Sequence, residues 1–109
     1  MSRAIIKRPQ AEVDLIGHYA FLSERVSIEN ADRFLNAVEN ILNLLAKSPG
    51  IGTVHRTNKP ELANIRFLPV SKFRRFLVFY ETFDDRIELV RVIHGARDLD
   101  RILGDKADQ

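Results

Sequence analysis

Hydrophobic residues are arranged along this chain in two ways. In the first half they recur every three to four positions, and in the second half they form continuous runs. The clearest stripe lies between Ser27 and Lys47 and holds the i, i+3, i+4, i+7 spacing of an amphipathic helix. Its members are Ala31, Phe34, Leu35, Val38, Ile41, Leu42 and Leu45. Ser27 suits the N-cap, and Ser48-Pro49-Gly50 ends the pattern. We expect this stripe to lie in the core.

A weaker helical pattern precedes it. Pro9 stands where the first turn of a helix would begin, since proline has a preset φ and needs no N–H partner there. Apolar residues follow at helical spacing: Ala11, Leu15, Ile16, Tyr19, Ala20 and Leu22. A connection of about four residues joins the two helices, so we expect an antiparallel helical hairpin. His18 is expected on the surface of the first helix.

The later apolar runs predict strands. Phe76–Tyr80 and Ile87–Ile93 flank the polar segment Thr82–Arg86, which is typical of a β-hairpin. Both runs are apolar at successive positions, so both strands should be covered on both faces and central to the sheet. Further strands are predicted at Arg3–Lys7 and at Asn64–Val70, where Pro69 indicates an edge position or a strand end.

The remaining segments are connections and a terminus. Residues 50–61 contain two glycines and a proline and predict a long loop, either functional or mobile. Asp98 can cap a final short helix that contains Leu99, Ile102 and Leu103 and ends at Gly104. Residues 105–109 are expected to fray.

The element order is therefore β-α-α-β-β-β followed by a short helix, and the predicted class is α+β. A helical hairpin should cover one face of a mostly antiparallel sheet. The 109 residues, of which 45% are hydrophobic and 29% charged, predict one globular domain over residues 1–109. The absence of cysteine excludes disulfides and thiolate chemistry. No segment has the apolar length of a signal peptide or a membrane span, so we expect a cytoplasmic protein.

Charge is distributed unevenly around a net value of +2. Residues 51–75 hold six lysines and arginines against one acid, whereas residues 76–109 hold five against eight. Because arginine forms paired hydrogen bonds with carboxylates and phosphates, the basic segment suits a polyanion or an acidic protein partner. A solvated surface with scattered ion pairs explains the same pattern. The net charge is too small to indicate DNA binding by itself.

The central hairpin ends in residues that could take part in catalysis or binding. His94 is its one well-placed titrating group, and nearby cations are drawn from Arg66, Lys72, Arg74, Arg91 and Arg97. Metal-free RNA cleavage needs a base, an acid and cations around the phosphate. One histidine with arginines meets that need weakly, and an imidazole hydrogen-bonded to backbone is the structural alternative. His18, His55 and His94 lie on different elements and have no metal-ligand spacing, so neither a metal nor another cofactor is expected.

The hairpin, its Arg-Val-Ile-His-Gly-Ala-Arg-Asp ending at residues 91–98 and the helical first half resemble the ParE-type toxins of the RelE/ParE superfamily. The resemblance covers about residues 3 to 103. It implies a non-enzymatic toxin of a type II toxin–antitoxin system that inhibits DNA gyrase or a related type II topoisomerase. It also implies a hetero-oligomer with a ParD-like antitoxin, whose ribbon-helix-helix domain would supply the only contact with DNA.

The resemblance implies binding roles for His94 and for the basic residues. The target-binding candidates are His94, Arg97 and Arg91, and the antitoxin-binding candidates are Arg56, Arg66, Lys72, Arg74 and Arg75. The alternative function on the same fold is a ribosome-dependent messenger RNA endoribonuclease of the RelE type, with His94, Arg97 and Arg66 as its catalytic residues. Small residues follow His94 where a nuclease would place a reactive side chain, which argues against cleavage. A degenerate member that only binds its antitoxin and co-represses transcription is a third possibility.

Overall fold

The computed structural model of the protein describes residues 2–95, 102 and 103. In chain order, the first strand is followed by two long helices, α1 (Pro9–Arg25) and α2 (Ile28–Lys47), and then by the other four strands. The strands are β1 (Ala4–Lys7), β2 (Thr53–Val54), β3 (Ile65–Val70), β4 (Phe73–Thr82) and β5 (Arg86–His94). Two single 3₁₀ turns, Pro49–Ile51 and Pro60–Leu62, flank β2.

The five strands form one sheet in the order β1-β5-β4-β3-β2. Only the β1–β5 pair is parallel, and the other pairs are antiparallel. The β4–β5 hairpin lies inside the sheet with buried side chains pointing to both faces, as its unbroken apolar runs predict. The predicted α+β class, with a helical hairpin on a mostly antiparallel sheet, is confirmed.

The helix boundaries follow the local sequence signals. α1 begins at Pro9, and the Ser27 hydroxyl accepts a hydrogen bond from the Asn30 N–H at 3.0 Å, which confirms the predicted N-cap of α2. Two residues rather than about four separate the helices. The α1 stripe is narrower than predicted, because Ile16 is 71% exposed and only Ala11, Leu15 and Leu22 are buried. Ile16 lies about 100° around the helix from Leu15 and so points away from the sheet.

The face of the sheet under the two helices, here called the helix face, carries the larger core. Most of the predicted α2 stripe is buried there, and Leu35 is partly buried. The Phe34 ring lies 4.7 Å from Phe76 and 5.5 Å from Phe73, between centroids. Residues of β4 and β5 complete this core: Phe76, Val78, Tyr80, Ile87, Leu89 and Val92.

The opposite face carries a smaller apolar cluster. Phe79, Val90 and Ile93 of the hairpin form this cluster together with Ile65. No long helix of the described chain covers this cluster; instead Leu62 of a 3₁₀ turn and Leu103 pack against it, each 4% exposed. Ile102 and Leu103 are helical, in agreement with the predicted C-terminal helix. The other predicted parts of that helix, Asp98, Leu99 and Gly104, and the tail at 105–109 lie outside the described residues.

The prediction of a plain loop over residues 50–61 was wrong, because this segment contains β2 and parts of both 3₁₀ turns. Side chains of the neighbouring strands hold it in place. The buried Tyr80 hydroxyl donates to the Pro49 carbonyl at 2.7 Å and accepts from the Gly52 N–H at 2.9 Å. The Arg66 guanidinium donates to the Gly52 carbonyl at 2.8 Å. Sequence periodicity could not reveal a two-residue strand that depends on such distant partners.

Pro69 lies near the end of β3, as predicted. β2 pairs only with Arg66 and Phe67, so Pro69 is beyond the short edge strand. The β3–β4 register shifts between Pro69 and Val70, where proline removes an N–H from the ladder. No helix in the described part of the chain is long and apolar enough to cross a membrane.

Candidate interaction surfaces

The last part of β5 has a free edge that α1 completes. β1 pairs with β5 only as far as Leu89, which leaves the backbone of Val92 without a strand partner on that side. Asp14 accepts a hydrogen bond from the Val92 N–H at 3.0 Å, and His18 Nε2 lies 2.7 Å from the Val92 carbonyl oxygen. Since a carbonyl only accepts, Nε2 carries the proton. Asp14 and His18 are one helical turn apart, so α1 satisfies both backbone groups.

The prediction that His18 lies on the helix surface was therefore wrong. Its imidazole is partly buried and lies edge-on to Phe76, with ring centroids 4.8 Å apart. The i, i+4 spacing of Asp14 and His18 beside the buried Leu15 is the signal that could have placed it against the sheet.

Arg91, a predicted target contact, forms a two-pronged ion pair with Asp14. Its Nε and Nη2 donate to the two carboxylate oxygens at 2.7 and 3.0 Å. The side chains are 16% and 9% exposed respectively, and Arg91 Nη1 also lies 3.4 Å from the Ile102 carbonyl oxygen. A partner that bound this guanidinium would have to displace Asp14. The role of Arg91 in target binding stays a prediction.

His94 is exposed at the end of β5. Its ring centroid lies 4.7 Å from Phe76 and 6.5 Å from Phe21 at the end of α1. The imidazole hydrogen-bonds no other described residue, and its hydrogen bond to backbone stays a prediction. The chain turns immediately afterwards, because Gly95 adopts a φ of +84° and its N–H donates to the Arg75 carbonyl at 2.8 Å. Arg97 lies outside the described residues.

The described members of the alternative catalytic set, His94 and Arg66, are not brought together. His94 pairs with Phe76 on β4, whereas Arg66 on β3 pairs with Tyr80. Two strand spacings across and four residues along separate them by roughly 16 Å. Arg66 also donates to the Gly52 carbonyl. Within the described ranges, no three metal-ligating side chains gather into a potential metal site.

The predicted antitoxin-binding residues divide into two groups. Lys72, Arg74 and Arg75, here called the turn cluster, are exposed together at the β3–β4 turn and form no ion pair with a described residue. β3 pairs Pro69 with Leu77 and Val70 with Phe73, so residues 74–76 have no partner on β3. Arg56 and Arg66 lie apart from this cluster, near β2 at the far edge of the sheet.

A further cation, Arg33 of α2, lies across a groove from Lys72. Thirty-nine positions separate these two residues in the chain. Arg33 is exposed on α2, and only the packing of α2 beside the β3–β4 turn brings the two cations to one groove.

Known proteins share the sequence pattern and the fold of this chain. A sequence model of the ParE toxin of type II toxin-antitoxin systems, parDE, matches residues 5–99. The chain belongs to the ParE toxin family. The predicted resemblance is confirmed, and the match includes β5 with Arg91 and His94.

One solved structure is that of a chromosomal ParDE toxin–antitoxin system from P. aeruginosa. This ParE family chain superimposes on it with a TM-score of 0.70 at 15% identity, covering 87% of this chain and 98% of that one. At this identity the similarity establishes a common fold and leaves individual side-chain roles unassigned. No curated protein sequence is a significant match.

Proposed function

We propose that this ParE family toxin acts in the cytoplasm by binding DNA gyrase or a related type II topoisomerase and stabilising its cleaved DNA complex. The family match over residues 5–99 carries the proposal. The geometry supports a binding role, because His94 and Arg66, the described members of the alternative catalytic set, pair with different ends of β4 and lie roughly 16 Å apart. A ParD-like antitoxin with a ribbon-helix-helix domain neutralises the toxin and provides the contact with DNA.

One observation favours the alternative of messenger RNA cleavage. His94 presents a titratable ring to solvent at the end of the central hairpin, where a bound RNA could reach it. Losing a general acid or base costs about 10²- to 10⁴-fold in rate. A toxin that acts only by binding needs no proton transfer, so its dependence on His94 should be small.

Expression of single variants without antitoxin separates the two functions. For a topoisomerase poison, Arg97→Lys should reduce growth arrest, because lysine lacks the planar five-donor fork of arginine. His94→Asn should change growth arrest little. Chromosomal DNA breaks and messenger RNA ends are followed in the same cultures. Codon-phased RNA cleavage that His94→Asn abolishes, without DNA breaks, would contradict the gyrase proposal.

Purified components give a direct test. Toxin, gyrase and supercoiled plasmid are incubated with ATP, and linear DNA trapped by denaturation is measured. The wild-type toxin should increase trapped cleavage complexes, and the exposed loop variant Lys59→Glu should behave like wild type. No increase in cleaved DNA, with growth arrest intact in cells, would point to another target. If the wild-type protein causes no growth arrest, the result would support the third possibility, a degenerate family member that only binds its antitoxin.

Antitoxin binding should depend on the turn cluster. Reversing Arg74 and Arg75 to glutamate should weaken binding more at low salt than at high salt, since exposed charges are screened. Adding Arg66→Glu should weaken it further, with an additional salt-independent part, because Arg66 also anchors the Gly52 carbonyl. Isothermal titration at two salt concentrations checks both statements. Equal weakening by Arg74 and Arg75 reversal at both salts would indicate a conformational cause.

A further inference from the structure

A groove of about 610 Å³ runs between α2 and the β3–β4 turn. Its floor is apolar and includes Ile41, Leu44 and Phe73, and Leu44 is 50% exposed there. Contact between Phe73 and the buried Phe34 fixes one side of the floor. Along α2 the groove extends from Asn30 to Leu44, a rise of about 21 Å, which matches about six residues of an extended peptide.

The helical wall of this groove is unusually rich in asparagine. Asn30, Asn36 and Asn40 line it, and none of their side-chain amides hydrogen-bonds another described residue. Asparagine is one of the poorer residues for a helix interior, so Asn36 and Asn40 weaken α2 where packing does not require them. Each amide offers both a donor and an acceptor to a bound molecule.

The other wall, at the β3–β4 turn, contains a residue in an unfavourable backbone conformation. Lys72 adopts a φ of +67°, a left-handed conformation that favours glycine or asparagine and strains a lysine. It faces the groove opposite Arg33, and Arg74 and Arg75 follow it in the turn cluster. No acidic side chain lines the groove within the described residues. Both walls therefore present positive charge and hydrogen-bond donors, unpaired among the described residues, above an apolar floor.

We propose that this groove binds an extended, acidic segment of the antitoxin whose alternate side chains are apolar. The inference rests on the proposed neutralisation by an antitoxin and assigns the place and chemistry of the contact. Asn36 and Asn40 bond the segment's backbone N–H and C=O groups, and its apolar side chains cover Ile41 and Leu44. Its carboxylates pair with Arg33 on one wall and Lys72 on the other.

The chemistry of the groove favours peptide over nucleic acid. A phosphate backbone offers acceptors only, which would leave the amide oxygens of the asparagines unused. The exposed apolar floor at Leu44 suits aliphatic side chains and gains nothing from phosphate. An acidic peptide uses the cations, the amides and the floor together.

The test uses substitutions that should stabilise the toxin while weakening the complex. Asn36→Ala with Asn40→Ala improves helix propensity, and the loss of two hydrogen-bonding side chains should raise the antitoxin Kd about tenfold. Asn43→Ala is the matched control, since Asn43 is an exposed asparagine of α2 that does not line the groove. Lys72→Gly relieves the strained φ and removes the charge, so it should raise both Tm and Kd.

The probe is the proposed ParD-like antitoxin, used at full length and as a synthetic C-terminal half, with binding measured by titration. Growth arrest and DNA breaks are measured with the same variants, so a toxin that fails to poison gyrase is distinguished from a groove that fails to bind antitoxin. We expect the groove variants to keep growth arrest in the absence of antitoxin and to be neutralised less well when antitoxin is present.

Three results would overturn the groove proposal. The first is a Kd for the double asparagine variant within twofold of wild type. The second is unchanged antitoxin binding with lost growth arrest, which would assign the groove to the target. The third is binding of a fluorescent 20-base-pair DNA duplex that the double variant abolishes, which would assign it to nucleic acid.

Discussion

The two faces of the sheet differ in the size of the apolar core that each one carries. The helix face is covered by α1 and α2 and is apolar along the length of the hairpin, with Phe34, Leu42 and Leu89 fully buried. The opposite face carries a smaller apolar cluster, which includes Ile65, Phe79 and Ile93 under Leu62 and Leu103. Near the β4–β5 loop, strand alternation places Glu81 and Glu88 on it, and Arg8 bridges their carboxylates. Stability should therefore depend mainly on the helix face.

A matched pair of leucine truncations should give the largest effect and define the helix face. Leu42→Ala should lower the free energy of unfolding by about 2–5 kcal/mol, because the side chain is 0% exposed and leaves a cavity. Leu44→Ala, on the same helix at 50% exposure, should cost much less. Urea denaturation measures both, and a loss for Leu42→Ala below roughly 0.5 kcal/mol would remove it from the core.

The same truncation on the opposite face should be milder. Leu62→Ala removes a side chain that is 4% exposed but lies on a single 3₁₀ turn, which can move inward to fill the space. We expect a loss near the lower limit of such substitutions, about 2 kcal/mol. Hydrogen exchange should show faster opening at the His55 N–H, which donates to the Ile65 carbonyl at 2.9 Å. A loss equal to that of Leu42→Ala would show that the two faces contribute alike.

A glycine pair tests the edge where α2 passes into β2. A Cβ on Gly52 would overlap the Tyr80 hydroxyl and lie 2.7 Å from its Cε1, whereas a Cβ on Gly50 would meet nothing within 4 Å. Gly52→Ala should therefore cost about 1–3 kcal/mol through overpacking, and Gly50→Ala should change stability little. Burial also raises the pKa of the Tyr80 hydroxyl, which keeps its proton for the Pro49 carbonyl. Equal melting temperatures for the two variants would contradict this packing.

The smallest expected effect is a pH dependence confined to the opposite face. The hydrogen bond from Arg86 is the largest influence on the pKa of Glu88. Together with the weaker effect of the hydrogen bond from Arg8, it lowers that pKa below its ordinary 4.5 against the opposing effect of burial. A lowered acid pKa stabilises the fold above the unfolded value and loses that contribution as the pH falls through the folded value. The Tm difference between wild type and Glu88→Gln should therefore shrink from about pH 5 to about pH 3. Glu24→Gln, an exposed residue with no ion pair to a described residue, is the control.

The candidate surfaces were predictable to different degrees. The turn cluster is contiguous in sequence, so a count of charges along the chain is enough to locate it. Arg66 also stands out as a cation, but its hydrogen bond to the Gly52 carbonyl depends on the packing of β2 beside β3. Arg91 stands out in the same way, and its pairing with Asp14, 77 positions away, depends on where α1 crosses the free edge of β5.

Local patterns in the sequence account for the two helices, the central hairpin and the fold class, because hydrophobic period, caps and proline positions act over a few residues. Membership of the ParE family also follows from the sequence, through a pattern that extends over most of the chain. Only the packing of distant elements makes His18 and Asp14 complete β5, Tyr80 hold β2, and Arg33 face Lys72 across one groove. Each of these contacts joins residues at least 28 positions apart, and local periodicity carries no information about such distances.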